Sequence, residues 1–247
     1  MYRDDPVGFA KEVLGVTLTE EQQDILLAVR DHRRVAVKGG VKTGKTMAAA
    51  VAALWFYATR DDALVVLIMP VADQVKRVIW REISMQFQEA RVPLGGKLNK
   101  QPASGLVTGI AMDARKIVGY GSRCRDASAR VSRENLLYVL DEACGIHDDT
   151  EDAVKRNLGN SGKELMLGLP TKNVGFFYDV FRENSPHTDH RDGVWRRTLP
   201  CECSPNVRAG RIVVPGMAVS EWVEEIRREC GETSNMFRQR VLGQFTE

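Results

Sequence analysis

Hydrophobic residues in this chain follow two spacings that alternate along its length. Continuous apolar runs, which are typical of buried parallel strands, occupy 35–38, 63–69, 136–140 and 164–169. Between these runs apolar residues recur at helical spacing, and the capping-box pattern from Thr19 to Gln22 predicts a helix over about 20–31. The alternation predicts an α/β fold.

The rest of the pattern supplies further elements around those strands. They are helices at 47–60, 71–90 and 151–158, short strands at 106–112 and 116–121, and loops at 91–105 and 121–134. After Cys201 we predict a short strand at 211–214 and two helices, at 219–229 and 234–241. The expected architecture is a three-layer core with a mostly parallel central sheet and an N-terminal helical segment over 1–200, followed by a small helical lid or linker subdomain over 201–247.

The segment GGVKTGKT at 39–46 lies between a predicted strand and a predicted helix and fits the pattern Gly-x-x-x-x-Gly-Lys-Thr. In that setting, backbone N–H groups cradle phosphate oxygens at the positive end of a helix. Lys45 would neutralise the β and γ phosphates, and the Thr46 hydroxyl would bind Mg²⁺. The alternative is a tight strand-to-helix turn with a solvent-exposed Lys45. The residues assigned to nucleotide binding in this loop are Gly39, Gly40, Val41, Lys42, Thr43, Gly44, Lys45 and Thr46.

Two acids follow the apolar run 136–140, at the end where a parallel strand delivers residues to a ligand crevice. Asp141 can hold Mg²⁺ through a water molecule, and Glu142 can orient and deprotonate the water that attacks the γ-phosphate. Taken alone, such a pair can also be a helix N-cap or two solvated charges. With Lys45, it predicts a P-loop ATPase core in which the loop strand and the acid strand need not be neighbours. The chain has no Asn-Lys-x-Asp segment for guanine recognition.

Charge and cysteine content limit the function classes. Among 247 residues, 35 Lys and Arg stand against 33 Asp and Glu, so the net charge of +2 does not predict nucleic-acid binding, and any polyanion contact must be local. The five cysteines form no regular framework and the N-terminus has no apolar leader, which indicates an intracellular, reducing location. The most apolar helical run is shorter than the roughly 20 residues that span a bilayer, so we expect no membrane segment.

Four stretches, in order, resemble the ATPase domain of the terminase large subunit of tailed phages, the DNA-packaging motor. They are LTEEQQDIL, GGVKTGKT, LLYVLDEACGI and LMLGLPTKNVGFFYD, and the ending MFRQRVLGQF is also similar. The resemblance covers nearly the whole chain. It implies an ATP-hydrolysing motor, with ATP and Mg²⁺ as cofactors, that drives double-stranded viral DNA into a procapsid.

The resemblance also implies partners and a location. Family members act as a homo-oligomeric ring, here expected to be a pentamer, with double-stranded DNA, the portal protein and the small terminase subunit, in the cytoplasm of the bacterial host. They carry a second, metal-dependent nuclease domain, which we expect to be absent from 1–247, either because the chain is an excised domain or because it is a nuclease-free relative. The alternative function is an ATP-binding switch or assembly ATPase with a protein partner.

Gln22 matches the adenine-reading glutamine of the family, because its amide can both donate to and accept from a base edge. It can equally serve only to complete the capping box of its own helix. Three positions depart from the family pattern: Glu21 replaces an aromatic residue, Lys42 replaces a small loop residue, and Leu169 replaces the asparagine of a Gly-Asn-Pro segment. Leu169 cannot hydrogen-bond the attacking water, so Thr171 is a candidate for that role.

The loop 121–134 carries four arginines, Arg123, Arg125, Arg130 and Arg133. In the family, an arginine upstream of the acid strand reaches the γ-phosphate of a neighbouring subunit, and such a finger is worth about 10³ to 10⁵ in rate. The distance from Glu142 favours Arg130 as the finger, then Arg125. The alternative is that these arginines are surface charges or bind DNA phosphates.

Two histidines and two cysteines near residue 200 include the ligand types of a zinc site. They are His187, His190, Cys201 and Cys203. Their spacing matches no common zinc module, so we expect loop residues there instead.

Overall fold

Parallel strands form the centre of the protein in a computed structural model that describes residues 2–99, 108–124, 131, 133–182 and 193–246. The strands are β1 (Arg34–Gly39), β2 (Leu64–Met69), β3 (Lys97–Asn99), β4 (Thr108–Met112), β5 (Arg115–Gly121), β6 (Leu136–Leu140), β7 (Lys163–Gly168) and β8 (Val194–Leu199). They form one sheet in the order β3-β4-β5-β2-β6-β7-β1-β8. The pairs from β5 to β8 are parallel, whereas β3 and β4, and β4 and β5, are antiparallel.

Helices connect and cover these strands. They are α1 (Pro6–Gly8, continued by a π-helical turn, Phe9–Leu14), α2 (Glu20–Asp31), α3 (Lys45–Ala58), α4 (Ala72–Arg77), α5 (Ile79–Glu89), α6 (Asp148–Asn157), α7 (Phe176–Val180), α8 (Pro205–Ala209), α9 (Ser220–Cys230) and α10 (Asn235–Arg240). In the described part of the chain, each helix is too short or too polar to cross a bilayer.

Both faces of the sheet are covered, which makes three layers. One face packs against α2, α3 and α5, where Trp55 and Tyr57 are fully buried. The other face packs against α6 and α7 through residues such as Tyr138 and Phe177. The predicted α/β architecture with a mostly parallel sheet is confirmed. A separate apolar cluster lies among the C-terminal helices, and the domain boundary at residue 200 stays a prediction.

The N-terminal helix prediction is confirmed, and the prediction of one helix over 71–90 is wrong. The Thr19 hydroxyl accepts from the Gln22 N–H, and the Gln22 side chain accepts from the Thr19 N–H, so the capping box of α2 is complete. The segment 71–90 is instead divided at Val78 into α4, which packs on β2 and β5, and α5, which packs on α3. One straight helix could not reach both partners, and the adjacent β-branched Val78 and Ile79 have a lowered helix propensity.

The strand predicted at 211–214 is also wrong. This segment is irregular, because the N–H groups of Val213 and Val214 donate to the side-chain oxygen of Asn206 rather than to a neighbouring strand. Two strands arise where the pattern predicted none: β3 lies inside the predicted loop 91–105, and β8 forms one edge of the sheet.

A buried ionic cluster joins the first residues of β1 and β7 to α6, at the edge of the sheet opposite to the loop that follows β1. Arg34 donates from Nε to Glu164 at 2.7 Å and from Nη2 to Glu151 at 2.9 Å. Lys155 lies 2.8 Å from the other oxygen of Glu151. Burial first, and the Glu164 carboxylate second, raise the pKa of Glu151 to about 7.

We expect the Glu151→Gln variant to become more stable relative to the wild type as the pH rises. Because the folded-state pKa of about 7 exceeds the ordinary 4.5, the contribution of Glu151 to the free energy of unfolding falls as the pH rises between these values. Between pH 5 and pH 8 the variant should gain roughly 1–3 kcal/mol over the wild type, measured by urea unfolding at both pH values.

The exposed neighbour Asp152 provides the matched control for this measurement. Asp152→Asn should keep the same stability difference from the wild type at both pH values, because Asp152 is solvated. A Glu151→Gln difference that does not change with pH would contradict the account.

Candidate functional site

The loop between β1 and α3 ends at a position that requires glycine. Gly44 is the N-cap of α3 and has φ 82° and ψ 13°, in the left-handed region. Its carbonyl accepts a hydrogen bond from Gln22 Nε2 at 3.1 Å. A Cβ atom at Gly44 would lie 2.5 Å from that same nitrogen. The predicted strand–loop–helix is therefore present, and it is tied to α2 through Gln22.

Lys45 begins α3 and points back into the loop. Its ammonium donates to the carbonyls of Gly40 at 2.6 Å and Gly39 at 3.1 Å, and to the Thr43 hydroxyl at 3.2 Å. Burial lowers the pKa of Lys45, and the Glu142 carboxylate opposes this shift. The predicted alternative, a solvent-exposed lysine in a simple turn, is therefore wrong.

The two halves of the predicted site meet at the carboxyl edge of the sheet. The Thr46 hydroxyl donates to Asp141 Oδ2 at 3.0 Å, although β1 and β6 are separated in the sheet by β7. Asp141 also accepts from the Glu142 N–H at 3.0 Å. Burial first, and the neighbouring Glu142 carboxylate second, raise the pKa of Asp141 to about 6. The loop and the acids thus form one site.

Glu142 occupies an unusual backbone conformation. Its φ of 55° and ψ of 43° lie in the left-handed region, which a non-glycine residue adopts at a cost of roughly 1–2 kcal/mol. The turn directs its exposed side chain toward the cavity beside the loop. Asp141 is buried against Thr46 while Glu142 faces the open space, so the adjacent acids have different environments.

A cavity of about 530 Å³ lies against the loop and is open to Glu142. The loop residues 40–46 form its floor, together with Met47. Its other walls come from Thr17 and Gln22 on one side, from Leu169 after β7, from α5, and from the segment 214–217. The volume falls within the range of small-molecule sites.

Several lining residues escaped the sequence analysis. Three lie on α5, where the Glu82 carboxylate accepts from Gln86 Nε2 at 3.0 Å and Met85 is adjacent. The others are Thr17, Met47 and the segment 214–217. No motif marks any of them: α5 reads as an ordinary amphipathic helix, and its polar face reaches the cavity only because α5 packs beside α3.

The part of the loop that precedes Lys42 is bound by the protein's own backbone. The Gly40 N–H donates to the Leu199 carbonyl, and the Val41 N–H donates to the Arg240 carbonyl. A Cβ atom at Gly40 would lie 2.6 Å from the Arg240 carbonyl oxygen, so only glycine fits there. We therefore expect the phosphate-binding N–H groups to come from later in the loop and from the first turn of α3, where the N–H groups have no intrahelical partner.

One of the three departures from the family pattern has a structural explanation, and a second lies at the cavity. The Glu21 carboxylate is buried and accepts from Arg208 Nη2 at 2.6 Å, so this position makes an ion pair with α8. Lys42 has φ 57° and lies exposed at the cavity, and its carbonyl accepts from the Ala218 N–H at 3.0 Å. Gln22 completes the capping box and also contacts Gly44, so the capping role is confirmed and the adenine role stays a prediction.

Leu169 lines the cavity, as its position after β7 requires. The Thr171 N–H donates to the Leu169 carbonyl, and Thr171 is exposed. Thr171 is not among the described residues that line the cavity. Its proposed role in sensing the attacking water stays a prediction.

The two favoured finger arginines, Arg125 and Arg130, lie outside the described residues. Of the other two, Arg123 donates from Nε to His147 Nε2 at 3.3 Å, and Arg133 donates to the Ala114 carbonyl at 3.4 Å. The assignment of Arg130 as a catalytic residue therefore stays a prediction.

The two histidines of the zinc hypothesis, His187 and His190, also lie outside the described residues. Cys201 is buried, and its thiol donates to the Val41 carbonyl at 3.3 Å. Burial raises the pKa of Cys201 to about 12. A neutral thiol that packs under the loop is a poor metal ligand.

Thr46 and Asp141 have the chemistry of a magnesium site. Within the described residues, no three His, Cys, Asp or Glu side chains gather to hold a metal by themselves. Two adjacent oxygen donors at a phosphate loop nevertheless suit Mg²⁺, which takes few protein ligands and completes its octahedron with water and phosphate oxygens. The pair fits that ion.

Comparison with known proteins supports the resemblance seen in the sequence. No protein-family model matches the chain. The probable terminase large subunit of Enterobacteria phage P7 is 28% identical over 216 residues, which are 85% of this chain and 44% of that protein. The chain thus spans less than half the length of this relative.

Solved structures show the same fold. The large terminase of a thermophilic bacteriophage has a TM-score of 0.70 at 11% identity, over 94% of this chain and 54% of that one. A second structure of that terminase, in complex with ADP, has a TM-score of 0.66 at 12% identity, over 93% and 54%. The large terminase ATPase domain of Thermus phage P74-26 has a TM-score of 0.66 at 18% identity, over 96% and 97%. The chain has the fold of a phage large terminase ATPase domain.

We expect Gly44→Ala to destabilise the protein more than a matched glycine substitution elsewhere. Gly210 also has a left-handed backbone (φ 62°, ψ 19°), but a Cβ atom there meets nothing within 4 Å. Gly210→Ala should therefore cost about 1 kcal/mol for the backbone alone. Gly44→Ala adds a clash with Gln22, so its free energy of unfolding, measured with urea, should fall further. If both variants lose the same free energy of unfolding, the Gln22 side chain moves away from the new Cβ atom without an energetic penalty.

Proposed function

We propose that this chain is an ATP-hydrolysing motor domain of a DNA-packaging terminase, with the translocation of double-stranded viral DNA as its work. The observation that carries the proposal is the 3.0 Å hydrogen bond from Thr46 to Asp141, which unites the phosphate loop with the acid pair. The fold and the relatives named above support it, since they are large terminases. The ADP complex of the thermophilic phage terminase supports nucleotide binding by a protein with this fold.

The proposed substrate position follows from the charges around the cavity. The triphosphate lies along the loop, with the N–H groups at the start of α3 and the Lys45 ammonium on the β and γ phosphates. To reach them, Lys45 exchanges its bonds to the Gly39 and Gly40 carbonyls for phosphate oxygens. Thr46 and Asp141 would hold Mg²⁺, which when bound neutralises charge on the phosphates. Gln22 stands at the wall beside Gly44, where it can read the base.

Glu142 is the proposed general base. Its carboxylate faces the cavity, whereas the Asp141 carboxylate is buried on Thr46. Glu142 orients a water molecule in line with the γ-phosphate and accepts its proton as the oxygen attacks. The left-handed turn at Glu142 sets the direction in which this side chain leaves the backbone, away from the buried Asp141 carboxylate.

We propose that the packaging motor contains several copies of this chain. We propose a homo-oligomeric ring, a pentamer by family resemblance, in the cytoplasm of the bacterial host, with the portal protein and the small terminase subunit as partners. In such a ring, Arg130 of one copy would reach the γ-phosphate held by the next copy.

We expect Glu142→Gln to keep ATP binding and to abolish turnover, because the amide preserves shape but cannot accept the proton. Lys45→Ala should lose nucleotide affinity as well, since it removes the charge that faces the phosphates. Binding is measured by calorimetry and turnover by phosphate release, with and without duplex DNA. Glu225→Gln, at an exposed position on α9, is the control and should behave as the wild type. Full turnover by Glu142→Gln would remove Glu142 from the mechanism.

Duplex DNA separates the motor from the alternative of a nucleotide switch. A motor should hydrolyse ATP faster when DNA is added, whereas a switch should ignore it. Because an isolated domain can turn over slowly outside its ring, the response to DNA decides the question and the basal rate does not.

We expect an Arg130→Ala copy to be rescued in mixed rings. An arginine finger acts on the neighbour's nucleotide, so a ring that also contains Glu142→Gln copies should regain activity at interfaces with one intact arginine and one intact glutamate. Phosphate release is measured across mixing ratios. A purely additive loss across all ratios would assign Arg130 to another role, such as contact with DNA phosphates.

A further inference from the structure

We propose that the segment 213–217, held in place by Asn206, is the wall that binds the nucleoside in the cavity, and that Asn206 is a positioning residue for it. This inference rests on the proposed function, because it assumes a nucleotide in the cavity. It concerns the sugar and base only, since the loop and the acids account for the phosphates.

Both polar atoms of the Asn206 side chain form hydrogen bonds with this segment. Asn206 is 1% exposed, and its Oδ1 accepts from the N–H groups of Val213 and Val214, both at 2.7 Å. Its Nδ2 donates to the Val214 carbonyl at 2.8 Å and to the Met217 carbonyl at 3.3 Å. One buried amide thus fixes both ends of a five-residue turn. Few substitutes could do so, because an amide alone offers two donors and two acceptors at this size.

The segment is fastened to the phosphate loop at its far end. The Ala218 N–H donates to the Lys42 carbonyl at 3.0 Å, and the Ala218 carbonyl accepts from the Ser204 hydroxyl at 2.7 Å. Ser204 is fully buried. These two hydrogen bonds fix the position of the segment 213–217 relative to the phosphate loop.

The surface that the turn presents to the cavity is mainly apolar. Val214, Pro215, Gly216 and Met217 line the cavity, and Met217 Cε lies 3.4 Å from the position of a Cβ atom at Gly44. Gln22 approaches the same point of Gly44 from α2. The turn and the glutamine therefore lie side by side at the end of the loop, and both line the cavity. A flat nucleobase suits such a space, since its faces are apolar and its edge is polar.

An ion pair made by Glu21, the residue before Gln22, occupies the position of the family's aromatic residue. Glu21 is 4% exposed and pairs with Arg208, which lies two residues after Asn206 on α8. This ion pair joins the helix that carries Gln22 to the helix that carries Asn206. The hydrocarbon of the turn then takes the place of an aromatic ring against one face of the base, while Gln22 remains at the other wall.

Inorganic tripolyphosphate is the probe that isolates this role, because it has the phosphates of ATP without a nucleoside. In the 247-residue chain, Asn206→Ala should raise the dissociation constant for ATP by about tenfold or more while leaving that for tripolyphosphate within about twofold. Asn206→Asp should fall between the two, since it keeps the acceptor for Val213 and Val214 but loses both donors. Both ligands are titrated by calorimetry in the presence of Mg²⁺.

Met217→Ala tests the wall itself without touching its support, in case Asn206→Ala disturbs the folding of the C-terminal helices. It should weaken ATP selectively, whereas Met236→Ala, at an exposed methionine on α10, should change neither ligand. Thermal unfolding of each variant reports whether the fold is retained.

Each outcome bears on one hypothesis. A selective loss of ATP binding in Asn206→Ala and Met217→Ala supports the nucleoside wall. Equal weakening of ATP and tripolyphosphate, or no change for either, overturns it. A wild-type chain that binds neither ligand overturns the proposed function instead, and one that binds tripolyphosphate as tightly as ATP shows that no wall contributes to affinity.

Discussion

The hydrogen bond between the Thr46 hydroxyl and the Asp141 carboxylate is the constraint on which the site depends. It forms only if β1 and β6 both run parallel with β7 between them, so that the start of α3 and the end of β6 lie on the same edge of the sheet. The continuous apolar strands permit this arrangement because both sheet faces are covered. The chemistry therefore follows from the topology, and the opposed environments of Asp141 and Glu142 follow from one strained turn.

The sequence predicted the parts of the protein whose pattern is local. The buried strands β1, β2, β6 and β7, the capped helix α2 and the phosphate loop all carry their own signatures, and each is present. The edge strand β8 does not. Its consecutive Arg196 and Arg197 break the apolar run, yet the strand forms because β1 provides its hydrogen bonds and because both arginines find partners nearby. At an edge, pairing decides the structure more than composition.

The failures share a cause, which is that contacts outside the local hydrophobic pattern decide the structure. The segment 211–214 has the composition of a strand, and Asn206 takes the N–H groups that a strand would have used. In the same way, Glu82 and Gln86 join the cavity only through the packing of α5 on α3. Glu21, which departs from the family pattern, is explained by Arg208, far away in sequence. Periodicity contains none of this information.

Three of the contacts that hold the phosphate loop to β8 and to the segments after it are made between main chains. Gly40 with Leu199, Val41 with Arg240, and Lys42 with Ala218 pair without any side chain, and a Cβ atom at Gly243 would lie 2.6 Å from the Cα atom of Gly39. Most side-chain substitutions leave these main-chain hydrogen bonds intact. The glycines are the exception, because a Cβ atom at Gly40 or Gly243 would clash with the facing main chain. Because these main-chain contacts have no rotatable side-chain bonds, a displacement of the loop would act directly on the last residue of α10.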